Sequence, residues 1–289
     1  MKVLILGIDG MIGHKIAQSL SQDYDIYGSS RKNIVINDIG IKFGKIVYHD
    51  FLIHNIEDLF RKIQPDIIIN CVGITTRRGI TKSNKNTEFI NSKLPHHIND
   101  WAINNNSKLI HFSTDCVFSG SKGNYLDNDF TDADDIYGKS KAAGEVDSSN
   151  TLTIRCSMIG RELYNFTELF EWLIKNKNQQ IQGYSKVFYS GITTVRMGKI
   201  LNQILKQSIN LSGIYNISSV PISKFELLSK LSNAFSLNVG ITENSNIKSN
   251  KVLISEKFTE ITGINPPNWD DLIFELKDDC EKFKSLYKN

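Results

Sequence analysis

No stretch of this 289-residue sequence approaches the roughly 20 consecutive apolar residues that span a bilayer as a helix. A membrane-spanning helical protein is therefore excluded. Charge of one sign is also scarce: 34 Lys and Arg face 31 Asp and Glu, a formal net charge of +3. No basic run is dense enough to argue for nucleic acid or a membrane surface as partner. Cysteine is sparse, and Cys71, Cys116, Cys156 and Cys280 are widely separated. With no C-x-x-C pair and no Cys/His cluster, no metal ligands are assigned. Three of the four follow or sit in expected buried strands, which fits reduced thiols and a cytoplasmic setting. Internal repeats, linkers and low-complexity blocks are missing too. The opening M-K-V-L-I-L-G enters a glycine motif too soon for a signal peptide. What is present is ordinary for a globular protein, 40% hydrophobic and 22% charged. The length suits one large α/β domain or two fused lobes.

The first half reads as a dinucleotide-binding unit. An apolar run, Val3 to Leu6, enters G-I-D-G-M-I-G, with glycines at 7, 10 and 13, and an amphipathic helix follows with Ile12, Ile16, Ala17 and Leu20 on one face. Gly7, Gly10 and Gly13 at a strand-to-helix turn permit a tight bend and close backbone approach to a pyrophosphate. The helix N-terminus adds N–H groups and a positive dipole end. A second strand, Asp25 to Gly28, runs into Ser29, Ser30, Arg31 and Lys32. An acid at this point would bond a ribose 2′-hydroxyl and select NAD. Hydroxyls and cations stand there instead, with Ser30 and Arg31 suited to a 2′-phosphate, so NADPH is expected, NADH staying open. The alternative reading of Arg31 and Lys32 is a solvated loop. A third strand, Lys45 to Tyr48, precedes Asp50 and Phe51, and a fully apolar fourth begins after Pro65-Asp66 and ends at Cys71, Val72 and Gly73. The loop from Thr75 to Lys85 carries Arg77 and Arg78, expected to face solvent with a phosphate as the other option. A helix over about 86–105 follows, bent or started late at Pro95.

The chemistry concentrates between Lys108 and Glu145. A fifth strand delivers Ser113-Thr114-Asp115, and Tyr137 and Lys141 follow four residues apart on a helix, hence on one face. A hydride reaching a ketone carbon leaves negative charge on the oxygen. Thr114 can hydrogen-bond that oxygen and Tyr137 can protonate it. A phenol of pKa about 10 needs a neighbouring cation to work near neutrality, and Lys141 is the candidate. The competing view of Tyr137 and Lys141 is a surface i,i+4 pair. The acids Asp127, Asp129, Asp132, Asp134 and Asp135 lack a regular ligand spacing, so solvent and a helix N-cap at Asp134 or Asp135 are expected.

Taken together, G-x-x-G-x-x-G, S-T-D-C-V-F-S-G, Y-G-K-S-K-x-x-G-E and an Arg-bearing strand resemble the dTDP-4-dehydrorhamnose reductase family of extended short-chain dehydrogenase/reductases. The resemblance covers most of the chain. I-N-S-x-L-P-H together with S-T-D-C-V-F resembles the branch making UDP-N-acetylated 6-deoxy-L-sugars. The resemblance implies a Rossmann-type doubly wound parallel sheet with a smaller C-terminal α/β substrate lobe; the division expected is residues 1–155 for the cofactor and 156–289 mainly for the substrate, with a return of part of the later chain to the Rossmann sheet left open. It implies NADPH-dependent reduction of the 4-keto group of a UDP- or dTDP-linked 6-deoxy sugar. Gly10, Met11 and Ile12 would contact the pyrophosphate, Asp50 and Phe51 the adenine, and Cys71, Val72 and Gly73 the dinucleotide. Thr114, Tyr137 and Lys141 would be the catalytic trio, with Asp115 and Cys116 beside the substrate.

The ordinary 4-reductases carry Tyr where this sequence has Cys116. In the related GDP-fucose synthases a cysteine at this offset moves protons beside the ketone, so a bifunctional 3-epimerase/4-reductase is an alternative. The plain reading of Cys116 is a small hydrophobe lining a pocket. No downstream His answers to the second epimerase base, and Lys175 and Lys177 are the substitutes available. A branch of the same resemblance that regulates methionine adenosyltransferase without catalysis is a third reading, opposed by the intact trio.

In the second half, Thr151 to Arg155 is expected to end the main sheet. Helices are expected over 166–175, 195–205 and about 269–286, with another opened by Pro221-Ile222-Ser223, a short strand from Ile214 to Ile217, and the polar segment from Thr242 to Lys251 as a loop. G-Y-S-K-V-F-Y-S-G-I-T-T, residues 183–194, resembles the family's nucleotide-sugar loop, with Ser190 and Thr193 as candidate contacts. Its other reading is a covered strand. Oligomeric state is open, a homodimer included.

Overall fold

The computed structural model describes residues 1–42, 44–75 and 84–287. Arg77 and Arg78 lie outside the described residues. Seven parallel strands form the main sheet: β1 (Lys2–Leu6), β2 (Asp25–Ser30), β3 (Lys45–Tyr48), β4 (Ile67–Asn70), β5 (Lys108–Phe112), β6 (Thr151–Arg155) and β10 (Gly213–Asn216), in the order β10-β6-β5-β4-β1-β2-β3. Alternation sorts their side chains onto two cores. Val3, Ile5, Ile67 and Ile69 face one layer with α1 (Met11–Leu20) and α7 (Thr194–Lys206). Leu4, Leu6 and Ile68 face the other, with α2 (Ile56–Ile63) and α4 (Leu94–Asn104). Burial on both faces explains why β1 and β4 read as nearly continuous apolar runs.

The chain runs β1, β2, β3 outward on one side, then returns to place β4 on the other side of β1. That reversal opens a crevice at the carboxyl ends of β1 and β4, where ligands of open α/β sheets bind. The expected helix over 86–105 is three pieces: α3 (Asn84–Glu88), a π-helical turn (Phe89–Lys93) and α4, with Pro95 in the first turn of α4. The π turn runs straight into α4, with Leu94 N donating to Phe89 O, and Pro95 stands where that turn hands over to the α-helical register. The π turn presents Asn91, whose Nδ2 donates to Ile74 O (2.9 Å) and Ser140 Oγ (3.0 Å) and whose Oδ1 accepts from Ile74 N (2.8 Å). Asn91 thereby ties the end of β4 to α5 (Ile136–Ala142).

Two expectations for the second half are corrected. The main sheet does not end at Arg155: the chain leaves it there, and α7 returns it to β10, which pairs outside β6. The segment expected as a loop at Thr242 to Lys251 is mostly strand. In the second sheet, β11 (Ile222–Ser223) and β12 (Gly240–Asn250) flank β8 (Gln180–Tyr189), β12 running parallel to it. β12 is an edge with most side chains exposed or half-exposed, so it carries no apolar alternation. A two-stranded pair, β7 (Met158–Ile159) and β9 (Ile192–Thr193), lies between the sheets, with α6 (Leu169–Lys175), α8 (Lys224–Ala234), α9 (Glu256–Thr262) and α10 (Trp269–Lys282) around them. After α10 the chain reaches back to α1. Lys15 Nζ pairs with Asp279 at 2.6 Å, and the His14 ring meets the Tyr287 hydroxyl at 3.2 Å.

Candidate active site

The first cavity, about 440 Å³, lies over the crevice between β1 and β4. Gly7 has φ of +71°, and a Cβ on Gly13 would strike the Gly7 carbonyl, so the turn requires both residues as glycine. Gly10 is the N-cap of α1 and offers no side chain, leaving the first helical N–H groups aimed at the cavity. Gly7, Gly10, Met11, Ser30, Arg31, Asp50, Phe51, Cys71, Val72 and Gly73 all line it. Gly13 shapes the turn from behind, and Ile12 faces the second cavity. This bare glycine cradle, open helix N-terminus and cationic strand end fit a dinucleotide.

The sequence reading assigned no role in this cavity to His49, Tyr164 or Asn165. His49 is buried against Phe51, with ring centroids 4.7 Å apart. Lys32 sits with Nζ 3.1 Å from the centre of the Tyr164 ring, which reaches over from the loop after β7. Asn165 and Phe166 have φ of 69° and 53°, and this tight turn swings Tyr164 to the first cavity and Phe166 to the second. Two consecutive non-glycine residues in the left-handed region are uncommon, and asparagine is the residue type most tolerant of it.

The second cavity, about 1210 Å³, shares Met11 with the first. Ser113 to Cys116 enter it from the end of β5, and Tyr137 from α5. A short 3-10 turn, Asp115–Val117, is capped by Thr114, whose Oγ1 accepts from Cys116 N at 3.1 Å and donates to Asp115 Oδ1 at 3.1 Å. Asp135 caps α5 by accepting from Gly138 N at 2.9 Å. A Cβ on Gly138 would meet the Cys116 carbonyl, so glycine lets α5 close on the 3-10 turn. Tyr137 is thereby brought to Thr114. Burial pushes the Tyr137 phenol up, and a hydrogen bond with Thr114 partly offsets this.

Lys141 is one turn on and lies beneath the cavity floor, with Nζ donating to Phe112 O at 2.6 Å. Burial lowers its pKa to about 8, against the opposing effect of Glu145. Glu145 itself is held by Arg155 through Nε and Nη2, each 2.7 Å, and accepts from Ser113 Oγ at 2.7 Å. That is the physical content of the G-E after Y-G-K-S-K and of the Arg on the following strand: they brace the end of β5 from behind. Asp115 and Cys116 line the second cavity, whereas Ser190 and Thr193 line neither. Ser190 Oγ accepts from Leu253 N at 2.9 Å, and Thr193 caps α7 by accepting from Arg196 N at 3.2 Å. The acidic loop is absorbed locally: Asp129 pairs with Lys122, and Asp132 accepts from Ser119. Among the described residues no group of His, Cys, Asp and Glu is arranged to hold a metal ion.

Comparison with known proteins agrees with this geometry. Residues 1–279 match the family model of the RmlD substrate binding domain. The chain belongs to that family. Relatives include the spore coat polysaccharide biosynthesis protein SpsK of Bacillus subtilis, 27% identical over 95% of this chain and 96% of the relative. A dTDP-4-dehydrorhamnose reductase of Aggregatibacter actinomycetemcomitans is 26% identical over 76% of this chain and 74% of its own. Among solved structures, a Bacillus anthracis dTDP-4-dehydrorhamnose reductase in complex with NADP superposes with a TM-score of 0.78 at 20% identity, covering 96% of this chain and 99% of that one. The fold is thus that of the RmlD-type reductases.

Proposed function

We propose that this chain reduces the 4-keto group of a dTDP-linked 6-deoxy sugar with NADPH as reductant. The observation that carries this reading is the meeting, at Met11, of a glycine-cradled dinucleotide cavity with a larger cavity that holds Thr114 and Tyr137. A bound nicotinamide supplies hydride. The residues of this chain supply the rest. Thr114 Oγ1 and the Tyr137 phenol donate to the ketone oxygen as it gains negative charge, and Tyr137 delivers the proton. Lys141, tethered to the Phe112 carbonyl on the helix that carries Tyr137, is a cation while it stays protonated, but burial raises the Tyr137 phenol rather than this cation lowering it as the spacing suggested. Ser30, Arg31 and Lys32 at the end of β2 favour a 2′-phosphate and hence NADPH over NADH. On this reading residues 1–155 hold the cofactor and residues 156–289 mainly the sugar nucleotide, with α7 and β10 belonging to the large sheet.

The dTDP-linked hexose is preferred over an N-acetylated UDP sugar. Asn91 and Ser92 of I-N-S-x-L-P-H bond Ile74 and Ser140, so they act as scaffold and say nothing of an acetamido group. A pure reductase is preferred over an epimerase. Burial first, and Asp115 second, push the Cys116 thiol up to about 12, which disfavours the thiolate that would take a proton beside the ketone. Lys175 is occupied, with Nζ donating to Phe166 O at 2.6 Å. The test is a panel of dTDP-, UDP- and GDP-linked 4-keto-6-deoxy sugars with NADPH in deuterated water, products read by NMR. The expected result is fastest turnover of the dTDP sugar, with no deuterium at C3. Deuterium at C3, lost in Cys116→Ser, would establish the epimerase reading instead.

A further inference from the structure

We propose that Tyr189 is a specificity-determining residue, its hydroxyl hydrogen-bonding a ring hydroxyl of the hexose. This rests on the reductase reading and names how the same cavity selects its sugar. Tyr189 ends β8 and is 2% exposed, yet it lines the second cavity together with Thr114 and Tyr137. Its ring cannot swing away. A Cβ on Gly191 would overlap both the ring and the hydroxyl, so that glycine holds the phenol in a fitted slot. Trp269 packs with its ring centroid 5.6 Å away, and Lys224 Nζ lies 3.7 Å from the Tyr189 centroid.

The hydroxyl at the end of this ring closes no hydrogen bond of full geometry among the described residues. Asp115 acts on it electrostatically, and the Ser157 hydroxyl is its hydrogen-bonding neighbour without closing a bond of full geometry, which leaves room for a further partner. A buried hydroxyl left this way destabilises the protein that carries it, and native interiors rarely retain one without a reason. A sugar hydroxyl supplies the reason, because it donates and accepts at once. It can accept a hydrogen bond from the Tyr189 hydroxyl and donate one to Asp115, which lines the same cavity. Tyr189 therefore reads the ring while Thr114 and Tyr137 handle the ketone.

The experiment compares wild type with Tyr189→Phe, which keeps the ring and removes only the hydroxyl. The substrates are the dTDP-linked 4-keto-6-deoxyhexose and its 2-deoxy and 3-deoxy analogues, each with NADPH. The expected result is a loss of about tenfold in kcat/KM for Tyr189→Phe on the parent sugar, carried by KM. Wild type should lose a similar factor on one deoxy analogue, and Tyr189→Phe should lose nothing further on that analogue. Equal penalties for that analogue in both proteins, or no penalty for Tyr189→Phe on the parent, would overturn the proposal. So would a lower melting temperature with weaker NADPH binding in Tyr189→Phe, since that pattern belongs to a structural hydroxyl. If wild type turns over none of the 4-keto sugars, the reductase reading fails. Tyr189 is then decided separately by calorimetric binding of dTDP-glucose and its deoxy forms to the two proteins: the same non-additive pattern upholds it, and equal affinities refute it.

Discussion

Arg155→Met isolates the brace behind the active site. Arg155 and Glu145 are both buried, their side chains 4% and 6% exposed, and joined by two bonds of 2.7 Å. Arg155 Nη1 also donates to Asp127 O at 2.9 Å. Methionine fills the alkyl volume but leaves Glu145 as a buried carboxylate with only Ser113 Oγ donating to it among these partners. Removing one partner of such a pair costs about 3–5 kcal/mol, dominated by the stranded charge. At roughly 2–4 °C per kcal/mol for chains of this general size, the melting temperature should fall on the order of 10 °C. Urea denaturation of wild type, Arg155→Met, Glu145→Met and the double variant measures this directly. The double variant should be less destabilised than the sum of the singles, because no charge is stranded. A loss under about 1 kcal/mol for Arg155→Met, or strict additivity in the cycle, would refute the reasoning that this pair is a desolvated unit.

Three further outcomes follow from the site. Arg31→Ala combined with Lys32→Ala should weaken NADPH binding by about tenfold to a hundredfold while leaving NADH nearly unchanged, as fluorescence titration would read; equal losses for both would remove the 2′-phosphate assignment. Lys141, lowered by burial to about 8, should make kcat/KM decline as pH rises through about 8, because the cation beneath Tyr137 is lost. Its effect on stability runs the other way. The folded value lies below the ordinary 10.5, so the unfolded chain binds more protons between about pH 8 and 10.5, and stability rises across that window in wild type but not in Lys141→Met. Gly13→Ala should abolish cofactor binding and lower stability, since its Cβ meets the backbone of Gly7 and Ile8 rather than a movable side chain.

The parts legible in the sequence were those fixed by local chemistry. β1, the glycine turn and α1 announce themselves because a strand buried on both faces must be apolar and the turn must lack Cβ atoms at Gly7 and Gly13. The Tyr137 and Lys141 spacing likewise fixes a shared helix face. What was hidden depends on contacts distant in sequence. The short strand expected from Ile214 to Ile217 is legible, but its pairing as β10 beside β6 is not, because β7 to α7 intervene after Arg155. β12 is polar because most of its residues stay at least half-exposed at a sheet edge, so no period marked it. Tyr164 reaches the dinucleotide cavity from a loop with no periodicity; the signal that existed was Asn165, a residue suited to the left-handed turn that aims it. In 183–194 the sequence pointed to a stretch of which Tyr184, Val187 and Tyr189 line the second cavity, yet Ser190 and Thr193 tie down backbone instead. Strand alternation distinguishes such neighbours only once the outward face is known.

The central claim is that Tyr137 donates the proton for ketone reduction, and Tyr137→Phe tests it most directly. Single-turnover NADPH oxidation with a dTDP-linked 4-keto-6-deoxyhexose should slow by about 10²–10⁴-fold, the usual contribution of a positioned acid. Binding of NADPH and of the nucleotide sugar should change little, because the ring and α5 remain. Tyr137→Phe oxidising NADPH at the wild-type rate would contradict the account.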